Sequence, residues 1–388
     1  MRTKIAILGS TGSIGKSTLE VIKKDKRNFD VILLSANKNY KKLIQQAKQF
    51  NAKNVLIKSS SFYEIVNNSL KKTKTKVHSG NISINKIILG KLDYTMSAIV
   101  GLAGLQPTID AIKISKTVAI ANKETIICGW QILSKLIKKY KTKIVPVDSE
   151  HFSIMELTKN VTNEEVEEII ITASGGPFLD TAINKLKNVK PNQATKHPNW
   201  KMGKKISIDS ANMINKVFEV IEAYKLFKFD KSKYKIMIHP QSYVHSIIRF
   251  KNGLIKMILY NADMQIPISN ILYNNKNYLL NASKIKIKTL NKLSFQKVDT
   301  RAFPSIKLIN KCFTLGFSTP IIINAANEVL VSLFLEEKIG FLDIVGTINK
   351  VLKDKEFKKY ARRKAGTIKD IKIIDNWARL KTTNMCVK

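Results

Sequence analysis

The residues best suited to chemistry are acids in a chain with few of them. Asp148-Ser149-Glu150 follows the apolar run KIVPV and reads as the carboxyl end of a strand. Residues two apart in an extended strand point to one side, so both carboxylates are expected to converge where open α/β sheets bind ligands. Hard oxygen ligands of this kind suit Mg²⁺ or Mn²⁺, which chelates vicinal substrate oxygens and acts as a Lewis acid. A strand end carrying two solvated acids is the competing reading, and a third ligand would decide between them. Glu219 and Glu222, in the helical pattern INKVFEVIEAYKLF, are the candidates. Asn215, Lys216 and Glu219 are spaced i,i+3 and i,i+4 and share one helix face. An amide, a cation and a carboxylate on one face fit a phosphorylated, metal-chelated substrate, although a surface Lys–Glu pair has the same spacing.

Two further segments could hold or cover such a substrate. Ser174-Gly175-Gly176-Pro177 follows the strand-like IIITA and offers a hydroxyl and small residues to phosphate oxygens. His197-Pro198-Asn199-Trp200-Lys201-Met202-Gly203 contains one of three Trp and reads either as a packed corner or as a lid that excludes water.

At the N-terminus a strand runs into Gly9-Ser-Thr-Gly12-Ser-Ile-Gly15 and then a helix. Glycines permit the tight turn and the close approach of backbone N–H groups to a pyrophosphate at a helix N-terminus. The spacing is GxxGxxG, so a glycine-rich turn without a ligand stays open. The second strand, VILLSA, ends in Asn37-Lys38-Asn39. An NAD site places an acid there for the ribose 2′-hydroxyl. Its absence, with Lys38 in its place, favours NADPH.

These residues need elements to position them. KIAILG, VILLSA, NVLIK, KIILG, YTMSAIVG, TVAIAN and KIVPVDS alternate with amphipathic stretches, which predicts βαβ units and a parallel sheet. EEIIITAS, YKIMIHP, SIIRF and LIKMILY around one strong helix predict an α+β region, and the pattern is helical from 304 onward. Thr319 before Pro320 reads as a helix start, with Gly316 and Gly340 as stops. The resulting fold class is α/β: an N-terminal Rossmann-like dinucleotide domain over 1–147, a central α+β catalytic domain over 148–280, a linker over 281–303 and a C-terminal helical bundle over 304–388.

The 388 residues carry 67 Lys+Arg against 29 Asp+Glu, a net charge of +38. Such an excess first suggests a nucleic-acid surface. Yet 60 of the cations are Lys and only seven Arg, the side chain suited to bidentate phosphate and base recognition. No basic block alternates with aromatics as a stacking platform would require. Lys, Ile and Asn share A/T-rich codons, so genomic bias with lysines on solvated faces is the favoured reading. No apolar run reaches the ~20 residues of a membrane span, and none of Cys128, Cys312 and Cys386 sits in a CxxC motif. A strand at the very N-terminus leaves no signal peptide, so a cytoplasmic, reduced protein is expected.

The segments GSTGSIGKSTLEVI, AIVGLAGLQPTI, ANKETI, VDSEH, TASGGPF, HPNWKMGKKISIDSANMINKVFEVIEA, HPQSYVHS and NAANEV occur in one order along the whole chain. In that order they resemble the 1-deoxy-D-xylulose 5-phosphate reductoisomerase family. The resemblance implies a homodimeric, NADPH- and metal-dependent enzyme. Its metal, Mg²⁺, Mn²⁺ or Co²⁺, would be held by Asp148, Glu150 and Glu219, which selects Glu219 over Glu222. The phosphate of a ketose substrate would meet Ser174, Ser210, Asn215 and Lys216, with Lys123, Ser149, Glu150 and Glu219 on the rest of it. His197 and Trp200 would close over the site. Lys123, Asp148, Glu150, His197 and Glu219 form the implied catalytic set. The cofactor would meet Thr11, Gly12, Ser13, Ile14, Asn37, Lys38, Asn39, Asn122, Lys123, Glu124, Met202 and Gly203. The implied reaction is a C–C rearrangement to a branched aldehyde followed by hydride reduction. Departures from the usual pattern are Asn212 for Thr, Val217 for Gly and Asn37 for Gly; Val217 is expected to add bulk beside Lys216. A divergent reductoisomerase-like oxidoreductase and a basic nucleic-acid binder are the alternative readings.

Overall fold

The structure is a computed structural model and describes residues 2–200, 202–274 and 285–386. It divides into two compact units. The first comprises the described residues of Met1–Thr125, Leu133–Phe152 and Asp263–Ser283, and the second those of Ile126–Ile132, Ser153–Ala262 and Lys284–Lys388.

In the first unit seven strands form one parallel sheet: β1 (Thr3–Leu8), β2 (Phe29–Ala36), β3 (Asn54–Ile57), β4 (Lys76–Ser79), β5 (Leu92–Ser97), β6 (Ser115–Ile120) and β7 (Lys143–Pro146), in the order β4-β3-β2-β1-β5-β6-β7. Ile5, Ala6, Ile7, Leu33 and Leu34 are fully buried. Such continuous apolar strands are what a sheet covered on both faces requires. The order reverses beside β1, so the carboxyl ends of β1 and β5 frame the crevice where doubly wound folds bind nucleotides. The helix Gln265–Tyr273, in the stretch expected to be catalytic, packs here instead: Tyr273 donates to Asp25 at 2.8 Å and its ring meets Phe29 edge-on at 5.7 Å.

Two local expectations fail in this unit. KIILG forms no strand; the helical turn Ile84–Ile87 occupies its start, with Ser83 Oγ accepting from the Asn85 N–H at 3.4 Å and donating to Asp110 at 2.7 Å. A capping serine outweighed the β-branched run. Conversely, β4 was not expected, because this edge strand, KVHS, carries one apolar residue and is held by its pairing with β3.

The second unit holds a mixed sheet of β8 (Val166–Ala173), β9 (Tyr234–Ile238), β10 (Val244–Phe250), β11 (Ile255–Leu259) and β12 (Gln296–Lys297), ordered β11-β10-β8-β9-β12. β12 falls within the expected linker 281–303, of which 281–284 lie outside the described residues. Val220 and Ala223 of the helix Ile214–Phe227 are buried in one cluster with Ile169, Ile171 and Ile248. Burying one such aliphatic side chain contributes about 1.5–3 kcal/mol, and this face fixes how the helix lies on its sheet. Helices Thr319–Leu335, Phe341–Val351 and Ile368–Cys386 pack through Ile321, Leu330, Ile344, Ile348, Ile371 and Ile374. Gly340 starts Phe341–Val351 as its N-cap; the helix before it is stopped by Glu337, at φ +57°.

Candidate functional site

In the first unit the glycine turn is built by close backbone approaches. Gly9 has φ +82°, and a β-carbon there would stand 2.7 Å from the Ala98 carbonyl oxygen; one on Gly15 would stand 2.4 Å from the Gly9 oxygen. Gly12 caps the helix Ser13–Lys23 with no side-chain acceptor, and the first turn holds no acid. These helix N–H groups therefore suit an anion, and the turn fits a dinucleotide pyrophosphate. Thr11, Ser13 and Ile14 lie on it. Two positioning residues escaped the sequence reading. Ser35 Oγ accepts the Gly9 N–H at 3.0 Å, and Gln46 exchanges two hydrogen bonds with Ser10, at 2.8 and 2.9 Å. The signal for Gln46 was a polar residue on the buried face of the helix Tyr40–Phe50. Asn37, Lys38 and Asn39 are exposed beyond β2, and Asn39 caps the next helix by accepting from Lys42 N–H at 3.3 Å.

Asn122 caps the helix Lys123–Tyr140, its Oδ1 accepting from Thr125 N–H at 3.1 Å. Its Nδ2 donates to the carbonyls of Ile99 and, at 2.8 Å, Gly101. Gly104 permits this, since a β-carbon there would meet Asn122 Nδ2 at 2.4 Å. Asn122 thus ties the loop after β5 to the start of this helix. Glu124 is buried beside it, as is Lys123, whose ammonium pairs with Asp148 at 2.8 Å.

The expected strand alternation of Asp148 and Glu150 is corrected. β7 ends at Pro146, the Asp148 carbonyl accepts from Phe152 N–H at 2.8 Å, and a helix runs over Ser149–Leu157. Asp148 is at the N-cap position and Glu150 in the first turn, where the helix dipole favours carboxylates. This preference overrode extension of the strand. Ser149 donates to Glu150 Oε2 at 2.5 Å, and His151 Nδ1 lies 3.9 Å from Asp148.

In the second unit Ser174 and His197 meet. His197 Nδ1 accepts the N–H groups of Asn199 and Trp200 at 3.1 and 3.0 Å. A neutral ring must then carry its proton on Nε2, which lies 3.0 Å from Ser174 Oγ, itself an acceptor from Gly176 N–H at 3.1 Å. Asn199 Nδ2 anchors the loop to Pro240 O at 2.7 Å and Ser242 Oγ at 2.9 Å, and the Trp200 ring meets that of His245 at 5.9 Å. Lys201 lies outside the described residues; Met202 and Gly203 lead into the helix Lys204–Ala211. Gly176, at φ +69°, lies so close to that helix that a β-carbon would stand 3.1 Å from the Ser210 carbonyl oxygen. The two cradle segments are therefore packed together.

A tight turn joins this helix to Ile214–Phe227. Met213 has φ +64°, and Asn212 Oδ1 accepts the Ile214 N–H at 3.0 Å. Asn212 thus has a capping role in the turn, and Val217 is fully buried. On the helix that follows the turn, Asn215 donates to Glu219 Oε1 and Lys216 Nζ lies 2.6 Å from Oε2. Glu219 is 1% exposed and Lys216 7%. The surface-pair reading fails on those numbers: a carboxylate this buried costs several kcal/mol unless compensated. The buried carboxylate is an oxygen ligand of the kind Mg²⁺ or Mn²⁺ takes, and the amide and ammonium beside it are donors that suit a phosphate. Glu222 is equally buried, one turn further on.

A doubly wound parallel sheet with a glycine-rich anion turn, together with buried Glu219 and Lys216 and half-buried Asn215, defines a dinucleotide-dependent oxidoreductase. Residues 5–129 match 1-deoxy-D-xylulose 5-phosphate reductoisomerase, residues 144–227 its C-terminal domain, and residues 259–381 the DXP reductoisomerase C-terminal domain. The chain is 49% identical over 386 residues to the 1-deoxy-D-xylulose 5-phosphate reductoisomerase of Pelagibacter ubique, covering 99% of this chain and 100% of the relative. Against that of Zymomonas mobilis it is 38% identical over 376 residues, covering 97% and 96%. The solved Z. mobilis enzyme in complex with NADPH superposes with a TM-score of 0.91 at 36% identity, over 100% of this chain and 99% of that one. A DOX-P reductoisomerase in complex with NADPH, fosmidomycin and magnesium gives 0.94 at 31%, over 99% and 98%. The chain belongs to the 1-deoxy-D-xylulose 5-phosphate reductoisomerase family. It is an NADP-dependent oxidoreductase and isomerase, and neither alternative reading is favoured.

Proposed function

We propose that the chain rearranges 1-deoxy-D-xylulose 5-phosphate and reduces the product with NADPH to 2-C-methyl-D-erythritol 4-phosphate, in isoprenoid precursor synthesis, dividing the work among the residues above. Asp148, Glu150 and Glu219 hold a divalent metal. When bound, the metal polarises the substrate's ketone and neighbouring hydroxyl, and NADPH supplies the hydride. Ser174, Ser210, Asn215 and Lys216 bind the phosphate, Lys216 as a buried cation and the others as donors. His197, with its proton on Nε2, adds a donor next to Ser174, and Trp200 covers the loop against water. Lys123 and Ser149 orient the substrate's polar backbone beside Asp148 and Glu150. The Gly9–Gly15 turn and its helix N–H groups take the NADPH pyrophosphate, and Lys38 the 2′-phosphate. Asn37, Asn39, Asn122, Glu124, Met202 and Gly203 complete the cofactor's surroundings.

The observation that carries this reading is Glu219, buried with Lys216 and Asn215 on one helix face. Calorimetric titration with Mn²⁺ tests it. Glu219→Gln is expected to lose more affinity than the ~10–100-fold that follows loss of an outer-shell partner. Unchanged Mn²⁺ binding by a folded Glu219→Gln chain would refute the ligand assignment.

A homodimer is the second part of the proposal. Among the described residues β11 is an edge strand; Ile255 and Met257 on it are 55% and 41% exposed, and Leu254 just before it 55%. An apolar edge with open backbone groups is what a second copy would cover. Sedimentation of the chain and of Met257→Lys would test this, with the variant expected to shift toward monomer. Membership in a biosynthetic enzyme family supports a cytoplasmic place of work; among the described residues no helix is long and apolar enough to cross a membrane.

A further inference from the structure

Two residues from the C-terminal part of the second unit reach the turn that carries Ser210 and Asn215. Asn327, fully buried in the helix Thr319–Leu335, donates from Nδ2 to Asp209 Oδ1 at 2.8 Å. The other oxygen of Asp209 pairs with Lys205 at 3.1 Å, and that ammonium lies 5.9 Å from the centre of the Phe218 ring, on the helix of Lys216 and Glu219. Ser305 Oγ donates to the Asn212 carbonyl at 2.5 Å. The two anchors therefore bracket Ser210 and Ala211 from behind, at residues 209 and 212.

What they hold is a strained joint. Met213 is a non-glycine residue at φ +64°, a conformation that persists only when its surroundings enforce it. Asp209 is 2% exposed while its neighbour Ser210 is half-buried, so the anchored side chain faces the core and the next one faces the cradle. A shift of the joint would move Ser210 relative to Asn215 and Lys216, and misplacement on the ångström scale is enough to cost binding.

We propose that Asn327, through Asp209, and Ser305, through the Asn212 carbonyl, are positioning residues that set the geometry of the phosphate cradle. The proposal rests on assigning Ser210, Asn215 and Lys216 to the substrate's phosphate. Residues more than ninety positions away in sequence thereby govern substrate affinity without touching substrate.

Steady-state kinetics of the full chain with saturating NADPH and Mg²⁺ tests it. Asn327→Ala and Ser305→Ala are each expected to raise KM for 1-deoxy-D-xylulose 5-phosphate about tenfold. Both should leave kcat and the KM for NADPH within about twofold, as expected when ground-state binding is lost. If Asn327→Ala does not fold, Ser305→Ala carries the test, because it leaves the Asp209–Lys205 pair untouched. An unaltered KM in the folded single variants overturns the proposal. Ser210→Ala separates this from the reading beneath it. If its KM is unaltered, the phosphate assignment falls and the proposal with it; if its KM rises while those of Asn327→Ala and Ser305→Ala do not, only the anchoring is wrong.

Discussion

In the function proposed above, the glycine turn of the first unit and the helix turn of the second bind phosphate in opposite ways. At Gly9–Gly15 the proposed binding groups are backbone N–H donors, and no β-carbon fits at Gly9 or Gly15 beside the Ala98 and Gly9 carbonyls. At Ser210–Glu219 the proposed binding groups are side chains: a half-buried hydroxyl and amide, and a buried ammonium held by a buried carboxylate. The first site should tolerate side-chain removal and fail on side-chain addition. The second should do the reverse.

The largest effect is expected at the second site. Glu219→Gln removes the negative charge that Lys216 faces at 2.6 Å, and with it the proposed metal ligand. A fall in kcat of about a thousandfold or more is expected in Mg²⁺, measured by substrate-dependent NADPH oxidation. Next comes Gly15→Ala, whose added carbon would stand 2.4 Å from the Gly9 oxygen. Overpacking of this kind costs about 1–3 kcal/mol and should displace the turn, so that NADPH binding, read by fluorescence titration, weakens by at least about tenfold. Ser13→Ala, on the same turn, should bind NADPH within about twofold of the unaltered chain if the backbone supplies the donors. A large loss in Ser13→Ala would break the contrast between the sites. Lys38→Ala is expected to weaken NADPH about fivefold while leaving NADH unaltered, since an exposed cation contributes about 1 kcal/mol or less to its partner.

The smallest effect concerns stability. His239 Nδ1 donates to the Ser294 carbonyl at 2.9 Å and Nε2 accepts the Tyr243 N–H at 3.2 Å, so both nitrogens are committed to the neutral ring. Burial pushes its pKa below 6.5. The unfolded chain therefore binds the proton more readily than the folded one, and this contribution is present above pH ~6.5 and lost as pH falls through the folded value. Urea midpoints should drop on acidification below pH ~6.5 in the unaltered chain, and less steeply in His239→Gln.

The contrast also explains what was legible in the sequence. Glycine spacing after an apolar run is a local pattern, so the cofactor turn and the parallel sheet could be read from β1 and its successors. Asn215, Lys216 and Glu219 also showed their common face, but spacing cannot distinguish a solvated pair from one that is 1% and 7% exposed. That burial is set by tertiary packing around the helix, which local spacing does not encode. Asp148-Ser149-Glu150 was misread as strand because a Pro-containing apolar run precedes it, although Asp followed by Ser and Glu is a helix-start pattern. Gln46 showed only as a polar residue on a buried helix face and Asn327 only as part of NAANEV, while Ser35 and Ser305 gave no signal; the partners of all four are set by tertiary packing.

Substrate-dependent NADPH oxidation by the purified chain, with and without EDTA, tests the central claim most directly. Oxidation should require 1-deoxy-D-xylulose 5-phosphate, stop on chelation and return when Mg²⁺ or Mn²⁺ is restored. No turnover by a folded, metal-supplied chain, or turnover indifferent to EDTA, would contradict it.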